Sequence, residues 1–280
     1  MTELALATDF VPPLDANRAG AATLEARLRL AADAGFTHIH WCEDWNNTRL
    51  YAAAEMDRIA SLVSARSLKC LDVHGAATPE VNLFVEDAEK RVQAAELVRN
   101  RVEFCSLAGG DAVVLHGASG EGSKRRVLAA AGLLEELIVF AHARSVRLAL
   151  ENGGAACREA LEALFERFAP EALGFCFDSG HARLEGTTET LERHGARLAA
   201  LHLDDNDGEK DLHRLPFDGT VPWDRVVAGI RAARYEKPLC LEVTCKHYDE
   251  SLPLEEFVRE AHARAERLAG MLDASQEGGA

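Results

Sequence analysis

A chain of 280 residues, 48% of them hydrophobic, can bury a large core and suits one closed α/β barrel better than two ordinary domains. Its net charge of −15 repels phosphate backbones, so the expected partner is a small molecule and not nucleic acid. No window approaches the roughly 18 unbroken apolar residues of a membrane span, and Met1 to Asp15 lack the basic start and apolar run of a secretory signal, so a soluble, cytoplasmic protein is expected.

Short apolar runs alternate along the chain with longer amphipathic stretches, the pattern of repeated βα units. A strand is expected at 4–8 with a helix at 23–34, then a strand at 38–42 with a helix at 53–65, and a strand at 69–74 with a helix at 84–107. The middle of the chain gives strands at 112–116 and 147–151 with helices at 124–143 and 158–168. The rest gives strands at 173–178, 198–203 and 238–243, with helices at 188–195, 223–233 and 254–272. Eight such units make a (β/α)8 TIM barrel, read as one domain over 1–272 with a flexible tail over 273–280. The segment 204–222 is the longest stretch without strong periodicity, and long loops in compact domains tend to be functional. The seven cysteines, Cys42, Cys70, Cys105, Cys157, Cys176, Cys240 and Cys245, form no CxxC pair and read as small buried hydrophobes in a reducing cytosol.

The ends of the expected strands carry His40-Trp41-Cys42-Glu43, His74, His116, Glu151, Asp178 with His181, His202 and Glu242. Barrel enzymes build their sites on the C-terminal face, so these side chains converge on one mouth. Imidazole and carboxylate together suit divalent Zn, Mn, Co or Fe, whereas an all-oxygen set would have suggested Mg or Ca. Asp211 and His213, in the long loop, add two more donors if that segment is extended, because an i, i+2 pair then points one way. Trp41 with Glu43, and Trp45 and Phe217, are candidates for the wall of a sugar site, and Lys210 and Arg214 for holding a distal oxygen or phosphate. His38, His142, His194, His247 and His262 fall off the strand ends or on helices and read as ordinary histidines. Gly117, Gly153-Gly154 and Gly180 give loops room to turn beside a ligand; 117–122 is a weak phosphate-loop hint, and no GxGxxG fingerprint is present.

Four segments carry a resemblance: Leu148-Ala149-Leu150-Glu151-Asn152, Phe175-Cys176-Phe177-Asp178-Ser179-Gly180-His181, Leu201-His202-Leu203-Asp204-Asp205-Asn206-Asp207 and Leu241-Glu242-Val243. With them the chain resembles the xylose-isomerase-like TIM-barrel superfamily, which holds sugar epimerases, inosose dehydratases and endonuclease IV. The epimerase branch implies one metal on Glu151, Asp178, His202 and Glu242, with His181 beside it and the two glutamates as acid and base. The endonuclease IV branch implies His74, His116 and Glu151 around one ion, the same four residues around a second, and His181, Asp211 and His213 around a third. One to three divalent ions per chain are therefore expected. The segment after His74, Gly75-Ala76-Ala77-Thr78, departs from the DNA-repair branch by offering no Tyr or Arg to wedge into a duplex. Phe217-Asp218-Gly219 also departs from the usual loop pattern, which leaves the shape of that loop open.

Two mechanisms fit these residues. A sugar or sugar-phosphate isomerase or epimerase would move a proton through a metal-stabilised enediolate, with Glu151, Glu242 and His181 in the chemistry. A phosphoester hydrolase would use two or three ions bridged by Glu151 and Asp178, and a dehydratase would share the enediolate chemistry. A non-catalytic sugar-binding barrel ranks last, because it gives no reason for so many convergent ligands. Apolar helix faces leave room for a homo-oligomer without requiring one.

Overall fold

The computed structural model describes residues 2–11, 23–76, 78–118, 120–153 and 155–274. The strands are β1 (Leu4–Ala7), β2 (His38–Trp41), β3 (Lys69–His74), β4 (Ala112–His116), β5 (Arg147–Glu151), β6 (Gly174–Asp178), β7 (Leu198–His202) and β8 (Leu239–Leu241). The helices are α1 (Leu24–Ala34), α2 (Ala53–Ser64), α3 (Ala88–Ala108), α4 (Ser123–His142), α5 (Ala155–Arg167), α6 (Ser179–Glu185), α7 (Glu189–His194), α8 (Trp223–Ala232) and α9 (Leu254–Asp273). All ladder pairs are parallel, in the order β7-β6-β5-β4-β3-β2-β1-β8. The seam between β7 and β8 is closed by a parallel bridge between Leu203 and Leu241, making an eight-stranded TIM barrel.

Strand alternation decides which residues reach the site. Leu and Phe at alternate positions, such as Leu148 and Leu150 of β5 or Phe175 and Phe177 of β6, join the large apolar layer shared with the helices. The opposite parity carries small residues inside the barrel, including Ala149, Cys176 and Ala200 in one cluster and Ala5, Leu71 and Cys240 in another. The last inward position of β5, β6 and β7 then falls on Glu151, Asp178 and His202. Trp41 has the wrong parity for a substrate wall. It is buried among Tyr51 and Phe104, and its indole Nε1 donates to the Tyr51 hydroxyl at 3.0 Å.

Local chemistry sets the boundaries. The Asp87 carboxylate accepts from the backbone N–H groups of Glu89 and Lys90, so α3 starts at Ala88 and not at 84. The α6 helix was absent from the expected elements because no loop separates it from β6. Asp178 ends the strand and caps the helix, its Oδ1 accepting from His181 N at 2.6 Å. At the C-terminus α9 runs through Asp273, and residues 275–280 of the expected tail lie outside the described residues. Among the described residues no helix is long and apolar enough to cross a membrane.

Candidate metal centre at the barrel mouth

Glu151, Asp178, His202 and Glu242 come from β5, β6, β7 and the residue after β8, and their donor atoms lie within 4.8 Å of one another. His202 Nδ1 is 2.6 Å from Glu151 Oε1 and 3.0 Å from Glu242 Oε2. Beside this set, His116 Nε2 lies 3.0 Å from Glu151 Oε2, and His74 joins them to form a second donor group. On the other side His181 Nε2 and His213 Nε2 each lie 3.4 Å from Asp211 Oδ2, and Asp204, Asp211 and His213 form a third group.

Three of these imidazoles are held in one tautomer. The Nδ1–H of His74 donates to Gly75 O at 2.9 Å, that of His181 to Asn152 O at 3.0 Å, and that of His213 to Glu242 O at 2.9 Å. Carbonyls only accept, so in the neutral ring each Nε2 presents a lone pair to the mouth, the arrangement by which proteins orient metal-ligating histidines. Asp211 and His213 do converge, but not through extended backbone: His213 has φ 44°, in the left-handed region.

The electrostatics are those of a cation site. Burial raises the Glu151 carboxyl, but His202 and His116 outweigh it and hold Glu151 well below the usual carboxylate range. Burial likewise opposes ionisation of Glu242, and His202 again brings it well below. Asp178 is pushed up to about 6, by burial first and by Glu151 and Glu242 against the pull of His181. Asp204 is raised well above its ordinary value by burial and by neighbouring Asp178. Asp178 Oδ2 and both Asp204 oxygens are buried without a hydrogen-bond partner among the described residues, a costly condition that a divalent ion relieves. The mixed imidazole and carboxylate donors therefore fit such an ion.

A cavity of about 370 Å3 opens over these groups. Glu43, Trp45, His74, His116, His181, Asp211, His213, Glu151 and Glu242 line it, whereas Lys210 and Arg214 are not among its lining residues. Arg214 is instead paired through its backbone with Asp205, and the Lys210 N–H donates to the Asp207 carboxylate. Trp45 rests against His74 and His116 with centroids 5.6 and 5.7 Å away, so it forms the aromatic wall. Phe217 packs against Trp223 and beneath Arg267. Glu43 is ion-paired with Arg27 at 3.0 Å.

Sequence reasoning missed Asp9, Asp204 and Asp205, whereas His40, one of the residues read at the strand ends, does lie beside the central set, its ring 4.5 Å from that of His202. Asp205 shapes the β7 loop: its carboxylate accepts from the N–H groups of Asn206, Phe217 and Val221 and from Trp223 Nε1. Gly219 passes so close to Asp205 and to the Asn206 carbonyl that any Cβ would collide, which settles the shape of 217–219. The only signal for these acids was their place in Asp204-Asp205-Asn206-Asp207, directly after β7.

A relative from Sinorhizobium fredii (strain NBRC 101917 / NGR234), the uncharacterized protein y4fM, is 33% identical over 281 residues, covering 89% of this chain and 90% of the relative. A solved D-tagatose 3-epimerase-like protein superposes with TM-score 0.77 at 17% identity, covering 100% of both chains. D-psicose 3-epimerase from Clostridium cellulolyticum H10 gives 0.75 at 13% identity, covering 97% of this chain and 99% of that one. The 3-keto-D-glucoside 4-epimerase YcjR from E. coli gives 0.70 at 15%, covering 95% and 99%. With the family's sequence pattern matched over residues 28–271, the chain belongs to the xylose isomerase-like TIM barrel family.

Proposed function

We propose that this protein is a divalent-metal-dependent sugar isomerase or epimerase that moves a proton at the carbon beside a carbonyl. The observation that carries this reading is the pairing of Glu151 and Glu242 at one cavity, each within hydrogen-bond distance of the same His202 nitrogen. A divalent ion on Glu151, Asp178, His202 and Glu242 would supply Lewis acidity to a bound carbonyl oxygen. Both glutamates are held ionised, so one can take the proton from carbon while the other serves the opposite face of the substrate. His181 is raised well above its ordinary value: burial opposes the charge, but Asp178 and Asp211 outweigh it. Its Nε2, the ring nitrogen left free by the bond to Asn152 O, is placed at the mouth to hydrogen-bond a substrate hydroxyl. Trp45 offers its face to the apolar side of a sugar ring.

Among the described lining residues the Lys and Arg side chains are Arg27, already paired with Glu43, and Lys246, against six carboxylates, namely Asp9, Glu43, Asp44, Glu151, Asp211 and Glu242. An unphosphorylated sugar fits that lining better than a sugar phosphate. The similar folds named as sugar epimerases support the class, and the burial of all seven cysteines supports the expected reducing compartment. The groups flanking the central set favour a second reading, a polynuclear phosphoester hydrolase. The acidic mouth and the net charge of −15 rank it below the first.

The test is solvent exchange. With Mn2+ or Co2+ and a panel of free ketoses and keto-sugars in D2O, the protein should place deuterium at the carbon beside the carbonyl. Glu151→Gln and Glu242→Gln should each lower that exchange by about a hundredfold or more. Exchange that is absent across the panel, together with turnover of phosphoesters, would replace this reading with the hydrolase.

A further inference from the structure

The two oxygens of Glu242 face different donors. Oε2 lies 3.0 Å from His202 Nδ1, within the central set. Oε1 lies 3.7 Å from His40 Nε2 and 3.4 Å from the Cys42 sulfur. The donor atoms of His40, Cys42 and Glu242 are within 4.8 Å of one another, and all three residues are buried. His40 is 0% exposed, yet its Nε2 has no hydrogen-bond partner among the described residues.

The other nitrogen of that ring explains its state. His40 Nδ1 lies 2.5 Å from Asp72 Oδ1, and Asp72 is itself 0% exposed. A carboxylate only accepts, so Nδ1 carries a proton, and in the neutral tautomer the Nε2 lone pair is turned toward Glu242 and Cys42. A carboxylate behind an imidazole whose free nitrogen faces further donors is how metal-ligating histidines are oriented. The other oxygen of Asp72 is buried with no hydrogen-bond partner among the described residues, so its hydrogen bonding on this side of the barrel goes to His40. Two donors bound to one tetrahedral ion at about 2.0–2.3 Å lie roughly 3.3–3.8 Å apart, and the 3.7 and 3.4 Å separations from Glu242 Oε1 fall in that range.

We propose that His40, Cys42 and Glu242 form a cation site of their own, with Glu242 bridging it to the set of Glu151, Asp178 and His202. Imidazole, thiolate and carboxylate together select a borderline ion of the zinc or cobalt kind over magnesium or calcium. Cys42 binds as thiolate, and its proton is released to water as the ion enters. Cys42 and Glu242 line the cavity, so the ion's remaining position faces the mouth. The site does not depend on which substrate the barrel takes.

Metal-free protein titrated with Co2+ alone tests this through the thiolate-to-cobalt charge-transfer absorption, with bound metal per chain counted by elemental analysis. The wild type should develop the band. Cys42→Ala should lose the band and one bound Co2+ per chain with its circular dichroism unchanged, and His40→Gln should lose the same ion while keeping the thiol. Cys176→Ala should keep the band, although Cys176 also lies beside Glu151 and His202. Asp178→Asn should keep it too, so failure of the central set is distinguishable from failure of this one. A wild type without the band overturns the proposal, as does a band that survives Cys42→Ala or disappears only in Cys176→Ala.

Discussion

Trp41 and Trp45 sit four positions apart and do opposite work. Trp41 is 2% exposed in the layer between strands and helices, so Trp41→Ala should cost about 3–5 kcal/mol of stability, read from urea unfolding. Trp45 lines the cavity, so Trp45→Ala should raise KM several-fold while leaving the unfolding midpoint near wild type. His194 supplies a pH prediction away from the mouth. Burial, with nearby Arg197 and Arg193, lowers it from its ordinary 6.5 even though its Nε2 donates to Glu162 at 3.1 Å. The unfolded chain therefore takes up a proton near 6.5 that the folded one refuses. This contribution to stability is whole above 6.5 and is lost as pH falls through the lower, folded value. The fall in Tm on acidification below that point should be shallower in His194→Gln, and an unchanged slope would remove His194 from the account.

At the scale of elements, the β7 loop and the start of α6 place groups that the strands alone cannot. Asp205 gathers four donors from 206–223, so Asp205→Ala leaves several buried N–H groups unpaired. A loss of roughly 3 kcal/mol or more is expected in chemical denaturation, together with weaker metal binding, because Asp211 and His213 ride on the same loop. The reading of that loop as extended expected Asp211 and His213 to converge, and they do, but on different backbone. Backbone turned at His213 by a positive φ does what an i, i+2 register would have done. Helix α6 was illegible for a related reason. A strand and a helix that share Asp178 leave no loop residues to mark the change of period.

Across the whole molecule, acids from strands distant in sequence are crowded at one end of the barrel. Asp178, Asp204, Glu151 and Glu242 are all buried there. Cations bound by the folded chain alone should stabilise it, by about 2.7 kcal/mol for one ion at a free concentration one hundred times its Kd. Chelator should therefore lower Tm and added Mn2+, Co2+ or Zn2+ should restore it, measured by calorimetry. A Tm indifferent to both would argue against metal at the mouth.

The eight βα units are legible from residue order alone, because buried strands and amphipathic helices have different hydrophobic periods, and that rhythm runs from 4 to 273. Residue order also determined that His, Asp and Glu end those strands. Only the tertiary structure decided which of them face one another. Inward or outward direction changes with every residue, and a register shift between Ile39 and His40 sets how β2 meets β3. That is why, of the strand-end residues His40 and Trp41, the first faces the site and the second packs against Tyr51 and Phe104. Of the adjacent acids Asp204 and Asp205, one joins the donor groups and the other ties down the loop, a division that depends on contacts with segments far along the chain.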